Sequence, residues 1–442
     1  MNITSLSPDQ APPISIPLRF FAVAPLFLVL AAVMLLAGEG NPFADARAPA
    51  LLAATHCITL GFMATAMMGA TQQILPVVIG SPVPASRLVA WLTLLPLAAG
   101  TLLLSAGFLR GDAHLLGLAW PLLATAFAVF VAAALASLRR ARARNLTWTA
   151  LLLAILALAG TVTLGVLLDR GYAAGLALDY ARLSAMHISL GLGGWVMLLI
   201  VGVSYQVVPM FQITPAYPKW LADLLAPLLF AALLLNLASL SIGEAPVRNA
   251  VAETAYWLLA ISFAVTTLWL QHHRRRKIRD ATLNFFRLGM FALLFAAACS
   301  CAALALPAAA APLRLLSVIA FIGGFAMSLI QGMLYKIVPF LVWFHLFRGG
   351  SNAVKAGIPN MKEVIPERLM WWHLRLHVAT LLAALPAPWV DAAVWPLALG
   401  LLLQGMLLAY AMYSGIAVFR RTLARIAGLS GDSAANGSPG LP

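Results

Sequence analysis

The sequence predicts an all-α integral membrane protein of twelve transmembrane helices, laid out as three tandem four-helix arcs in pseudo-threefold order. Three observations carry that prediction. Hydrophobic residues fill 62% of the 442 positions and charged residues only 10%, more apolar surface than a water-soluble core of this length hides. The apolar residues are gathered into twelve runs, each long enough to cross roughly 30 Å of hydrocarbon. A skeleton of glycines, a polar pair and a proline returns at a nearly constant interval.

In order, the runs fall near 18–38, 49–79, 86–109, 114–138, 146–168, 181–212, 217–241, 249–271, 282–306, 312–345, 370–386 and 393–419. No small-residue cleavage pattern comes after the first, so it is read as a retained helix and not as a secretory leader. Loops after even-numbered spans are basic: "RRARAR" (139–144), "HHRRRKIR" (272–279) and "RRTLAR" (420–425). Loops on the other side, such as "GEGNPFADARAP" and "SIGEAP", are acidic or neutral. The positive-inside rule then predicts a bacterial inner-membrane protein with both termini cytoplasmic. The net charge of +14 is spent on that topology, so the partner it implies is the lipid bilayer and not nucleic acid. Three cysteines make no disulfide framework, and no CxxC is present. The longest loop, about 347–368, is too short for a soluble domain, which leaves a single membrane domain over 1–442.

Spans 2, 6 and 10 share one skeleton. Span 2 has Gly61, Gly69, Gln72, Gln73 and Pro76; span 6 has Gly194, Gly202, Tyr205, Gln206 and Pro209; span 10 has Gly324, Gly332, Tyr335, Lys336 and Pro339. Each fits G-x7-G-x2-[QY]-[QK]-x2-P, and the prolines are 133 and 130 residues apart. Four spans lie in each interval, which predicts repeat units of approximately 17–140, 146–273 and 282–425. The second glycine, the Gln or Lys and the proline lie at i, i+4 and i+7, one stripe of a helix. Glycine on that stripe admits a close neighbour, and proline ends or kinks the span.

This layout resembles the cytochrome c oxidase subunit I superfamily, the haem–copper oxidases. "GMLYKIVP" (332–339) and "VGVSYQVVP" (201–209) are similar to segments of the innermost helices there. The resemblance implies haem ligation by a histidine near the outer end of helix 2, where His56 stands, and copper ligation from helix 6, where His187 stands. It also implies a His-x-His pair on helix 10, but Ser317 and Ile319 occupy those positions, and residues 217–241 lack the histidines expected of helix 7. Dioxygen reduction needs a five-coordinate haem facing a copper held by imidazoles. The expectation is therefore a divergent, non-oxidase relative. The NnrS proteins, haem- and copper-containing membrane proteins associated with nitric oxide tolerance, are the group it resembles.

Read on their own chemistry, the candidate residues leave alternatives open. His56 lies twenty residues before Pro76, ~30 Å along the helix; it is either a metal ligand or a structural donor to a backbone carbonyl. His187 lies twenty-two residues before its proline, which turns it ~200° from the His56 position at ~100° per residue. It need not face the same cofactor, and Asp179, Tyr180 and Arg182 offer it a surface network instead. His373 and His377 are spaced i, i+4, as a metal pair requires. The flanking "WWHLRLH" reads as an interfacial belt for His373, leaving His377, one turn deeper, as a metal candidate near the inner face. Met63, Met67 and Met68 beside Cys57 are soft copper(I) ligands or packing. Gln72, Gln73, Tyr205, Gln206, Tyr335 and Lys336 form a polar ring, or satisfy backbone groups freed by the prolines. The resemblance implies haem, held by His56 with His187 as second candidate, and copper as cofactors. It implies a small gas such as nitric oxide as the expected ligand, in tolerance or sensing. The rival readings are a multi-pass transporter and a cofactor-free membrane scaffold.

Overall fold

The computed structural model describes residues 12–242, 246–275, 277–347 and 357–435, and the two termini lie outside this set. Its long helices are α1 (Ser15–Leu36), α2 (Pro49–Ile79), α3 (Ser86–Arg110), α4 (Ala113–Arg139), α5 (Leu146–Ala174) and α6 (Tyr180–Gln212). They continue with α7 (Lys219–Ser241), α8 (Pro246–His272), α9 (Ala281–Ala305), α10 (Pro307–Phe347), α11 (Glu367–Ala384) and α12 (Val394–Ala435). Local chemistry sets several ends. Asp112, Asn145, Asp179 and Asp280 cap α4, α5, α6 and α9 by accepting from first-turn N–H groups. Gly80, Gly111 and Gly175 stand just past α2, α3 and α5 with φ of 65°, 61° and 63°, a left-handed turn that glycine takes without steric cost.

Eleven of these helices are long and apolar enough to cross a membrane. The predicted span at 370–386 is the exception. It is the 18-residue α11, whose first eleven residues include Glu367, Arg368, His373, Arg375 and His377. It packs against α9 and α12 with His373 and His377 buried and Arg368 and Arg375 exposed, a division that a hydropathy count cannot register.

The helices close a ring. Contacts run from α1 through α3, α4, α5, α7, α8, α9 and α11 to α12, and α12 packs back on α1; α2, α6 and α10 pack inside, each against the helix preceding it. Those inner contacts use the predicted glycines. A Cβ on Gly69 would lie 2.6 Å from Phe20, one on Gly202 2.6 Å from Ala150, and one on Gly332 2.7 Å from Phe285, so no larger residue fits without displacing α1, α5 or α9. Each inner helix also contains a π segment not foreseen from the sequence: Cys57–Ala64, Ser189–Val196 and Ala320–Ala326. Each segment contains the first glycine of the skeleton, Gly61, Gly194 or Gly324, always fifteen residues before the proline.

Loops after even-numbered helices meet on one face. Arg142 N–H donates to the Ile79 carbonyl at 3.2 Å and Arg275 N–H to the Ile213 carbonyl at 3.0 Å. This is the basic face. Large apolar side chains such as Leu88, Leu95, Leu258 and Trp395 remain outward and exposed, as lipid contact requires.

Candidate functional site

In the half of the bundle away from the basic face lies a cavity of about 600 Å³, walled mainly by α2, α5, α6, α10, α11 and α12. His56 and His187 both line it. The 200° offset expected between them does not separate them, because α2 and α6 approach the cavity from different sides. His56 closes the helical turn before one π segment, and His187 lies two residues before another. Each imidazole is pinned the same way. His56 Nδ1 donates to the Leu52 carbonyl at 2.8 Å, and His187 Nδ1 donates to the Thr161 carbonyl at 2.9 Å. A carbonyl only accepts, so in the neutral ring Nδ1 carries the proton and Nε2 keeps its lone pair. A backbone-anchored Nδ1 is the support that metal-bound imidazoles use to fix tautomer and orientation. Phe108 stacks at a tilt on His56 with centroids 5.3 Å apart, and Tyr172 meets Phe108 edge-on.

His377 also lines the cavity, at its floor, so depth does not set it apart from the other two. It is buried and both its nitrogens are engaged. Nδ1 donates to Gln404 Oε1 at 2.7 Å, and Nε2 accepts from the Ser328 hydroxyl at 2.8 Å. Gln404 in turn donates to Thr380 at 2.7 Å and accepts from Gln331 at 3.3 Å. His373 is not part of an interfacial belt. It is fully buried, with Nδ1 2.7 Å from the Tyr335 hydroxyl and Nε2 unpartnered among the described residues. The tryptophans beside it stand on other faces of α11, and the buried stripe at 370, 373, 374, 377 and 380 is the one that turns inward.

The remaining candidates divide by their contacts. Met63, Met67 and Met68 are buried in the core and Cys57 donates to Ser105. Cys299 is buried and Cys301 exposed, on different faces as their spacing predicts. The polar residues near the prolines do not form one ring. Tyr335 binds His373, Lys336 reaches Asp280 at 2.7 Å, and the Gln72 amide and Tyr205 hydroxyl have no partner among the described residues. Their amides and hydroxyls therefore do not serve the backbone groups freed by proline. At Asp280, outside the spans, burial opposes the charge, yet the Lys336 ammonium and the Thr282 hydrogen bonds hold its carboxyl below the usual carboxylate range.

One cavity residue escaped sequence reading. Asp169 is buried and lines the cavity, and neither carboxylate oxygen has a partner among the described residues. The expected span ended at 168, which left Asp169 in a loop; α5 instead continues to Ala174. Among the described residues no three or more His, Cys, Asp and Glu side chains gather as a metal site.

No family model and no curated protein matches this sequence. A solved haem–copper terminal oxidase dimer is similar in structure, with a TM-score of 0.58 over 97% of this chain and 84% of that chain, at 13% identity. The fold is haem–copper oxidase-like. Within that oxidase-like fold Ser317 spends its hydroxyl on the Ala296 carbonyl at 2.8 Å.

Proposed function

We propose that the large cavity would hold a haem, with His56 as its protein ligand and His187 as the second imidazole lining the site. The observation that carries this reading is the pair of imidazoles lining one apolar cavity, each anchored to a backbone carbonyl through Nδ1. A volume of about 600 Å³ is within the range that encloses a cofactor-sized molecule. The wall fits an iron porphyrin chemically: it is predominantly apolar, and Arg314, whose guanidinium lies 3.5 Å from the Glu253 carboxylate and whose side chain is 53% exposed, is the wall's cation for porphyrin carboxylates. When bound, the group supplies a coordination position for a small neutral ligand such as nitric oxide. Leu52 and Thr161 keep the two Nδ1 protons in place, Phe108 restrains the His56 ring, and the apolar walls exclude water. His377, with both nitrogens occupied, is assigned to the cavity floor and not to ligation. Copper draws no support from the side chains gathered here.

The physiological reading is nitric oxide or redox tolerance or sensing without oxygen reduction, in a bacterial inner membrane with the basic face cytoplasmic. The three units that pair α1 with α2, α5 with α6 and α9 with α10 are read as tandem repeats. Absorption spectroscopy of purified protein tests the haem assignment. A Soret band in the wild type, lost or sharply reduced in a folded, membrane-inserted His56→Ala variant, is the expected outcome. A wild type with no Soret band after growth with added haem overturns it.

A further inference from the structure

A second, smaller chamber of about 80 Å³ lies where α2, α6 and α10 converge, lined also by Phe21 of α1 and Phe286 of α9. Its lining has a regularity that chance packing does not produce. On each of the three helices the lining residues stand two, five, six, nine and ten positions before the terminal proline. The sixth position before the proline is Ala70, Val203 or Met333, and the second is Ile74, Val207 or Ile337. The chamber is therefore built from the same faces of the three glycine–proline helices, held apart by what those helices pack against.

Its chemistry is restrictive. The lining contributes the hydroxyls of Thr71 and Ser204, and Thr71 already donates to the Met67 carbonyl at 2.7 Å. A buried water needs two to four polar partners, so a chamber of this size with so few stays dry and accepts small apolar occupants. Its position gives such an occupant somewhere to go. The large cavity is lined as far as Ala64 on α2, Val196 on α6 and Met327 on α10. The chamber begins at Ala66, Leu199 and Leu329. Two to three residues of helix separate the two spaces, ~3–5 Å at ~1.5 Å per residue.

We propose that this chamber is a binding site for an uncharged diatomic gas and an antechamber to the large cavity. Apolar diatomics dissolve preferentially in hydrocarbon, and this chamber sits among membrane helices with a lining that neither hydrates nor charges. Only the delivery half of the proposal rests on the haem reading; occupancy by gas does not.

Xenon is the probe for the site. Crystals of the full-length protein under xenon pressure should show a xenon atom among Ala70, Val203 and Met333, with or without haem present. Two filling variants on different helices, Ala70→Leu and Val203→Phe, should each lose that atom while keeping any xenon in the large cavity. Either variant suffices if the other does not fold. In haem-loaded protein, the same variants should change the fraction of photolysed carbon monoxide that rebinds before escaping. Xenon absent from the wild-type chamber, or an ordered lipid chain or water in its place, overturns the binding site. Xenon present with rebinding unchanged in a filled variant overturns delivery. Absence of haem bears on the proposed function and leaves the xenon result intact.

Discussion

Individual side chains in this protein are sorted by what they bond, more than by what they are. His56, His187, His373 and His377 all lie within helices, yet the first two line a cavity with Nδ1 alone hydrogen-bonded while His377 has both nitrogens engaged. The His377–Gln404–Thr380 cluster extends to Ser328 and Gln331 on α10. Gln404→Leu would strand the His377 Nδ1 proton in the interior. Loss of about 1–3 kcal/mol is expected from an unsatisfied buried donor, read as a lower midpoint of thermal unfolding in detergent. The Lys336–Asp280 pair lies near the basic face and predicts a pH effect. Asp280 has a depressed carboxyl in the folded protein, so its contribution is fully present above the unfolded carboxylate value of about 3.9 and is lost as pH falls through the folded one. The stability difference between wild type and Lys336→Met should therefore shrink as the pH is lowered below about 4. A difference constant from pH 7 to 3 contradicts that coupling.

At the scale of elements, the inner helices are defined by a glycine stripe and a π segment together. The glycines allow α1, α5 and α9 to approach, and the proline ends the stripe. Gly69→Leu, Gly202→Leu and Gly332→Leu should each destabilise by about 1–3 kcal/mol, because the added atoms enter space already held by Phe20, Ala150 or Phe285. Equal tolerance of leucine at all three would remove the packing role given to the stripe. The π segments act on the site differently. A π turn accommodates one residue more than an α turn, so it rotates the helix on its N-terminal side by ~100° relative to the helix on its C-terminal side. Deleting Ile58 removes the extra residue and should let α2 close as an α-helix with His56 still on the cavity side, so membrane insertion and the Soret band should both persist; loss of the band would contradict this role of the π segment.

For the whole molecule, the closed ring of helices has a haem–copper oxidase-like fold. Ser317 and Ile319 stand where the resemblance implies two histidines, and residues 217–241 contain none. Purified protein supplied with reduced quinol or cytochrome c should consume no oxygen above background in an oxygen electrode. Robust consumption dependent on this chain contradicts the reading. Topology is testable at the same scale: reporters inserted in loops 139–145 and 272–281 should both be cytoplasmic.

The order of helices, the skeleton of the three inner ones and the place of His56 and His187 near one end were all legible in the sequence. Each depends on quantities local to the chain: run length, glycine–proline spacing and the charge of the next loop. Three things were decided only by tertiary structure. Whether His56 and His187 share a cavity depends on the directions from which α2 and α6 approach it, which rotation about a single helix axis does not encode. His373 and Tyr335 are partners because α10 and α11 lie side by side, 38 residues apart in sequence. The π segments arise where packing outweighs the α-helical period, and α5 keeps that period through Asp169 to Ala174, past the end of its apolar run. Composition specifies a helix and its solvent, whereas only neighbouring helices specify which of its polar atoms are left free to bind.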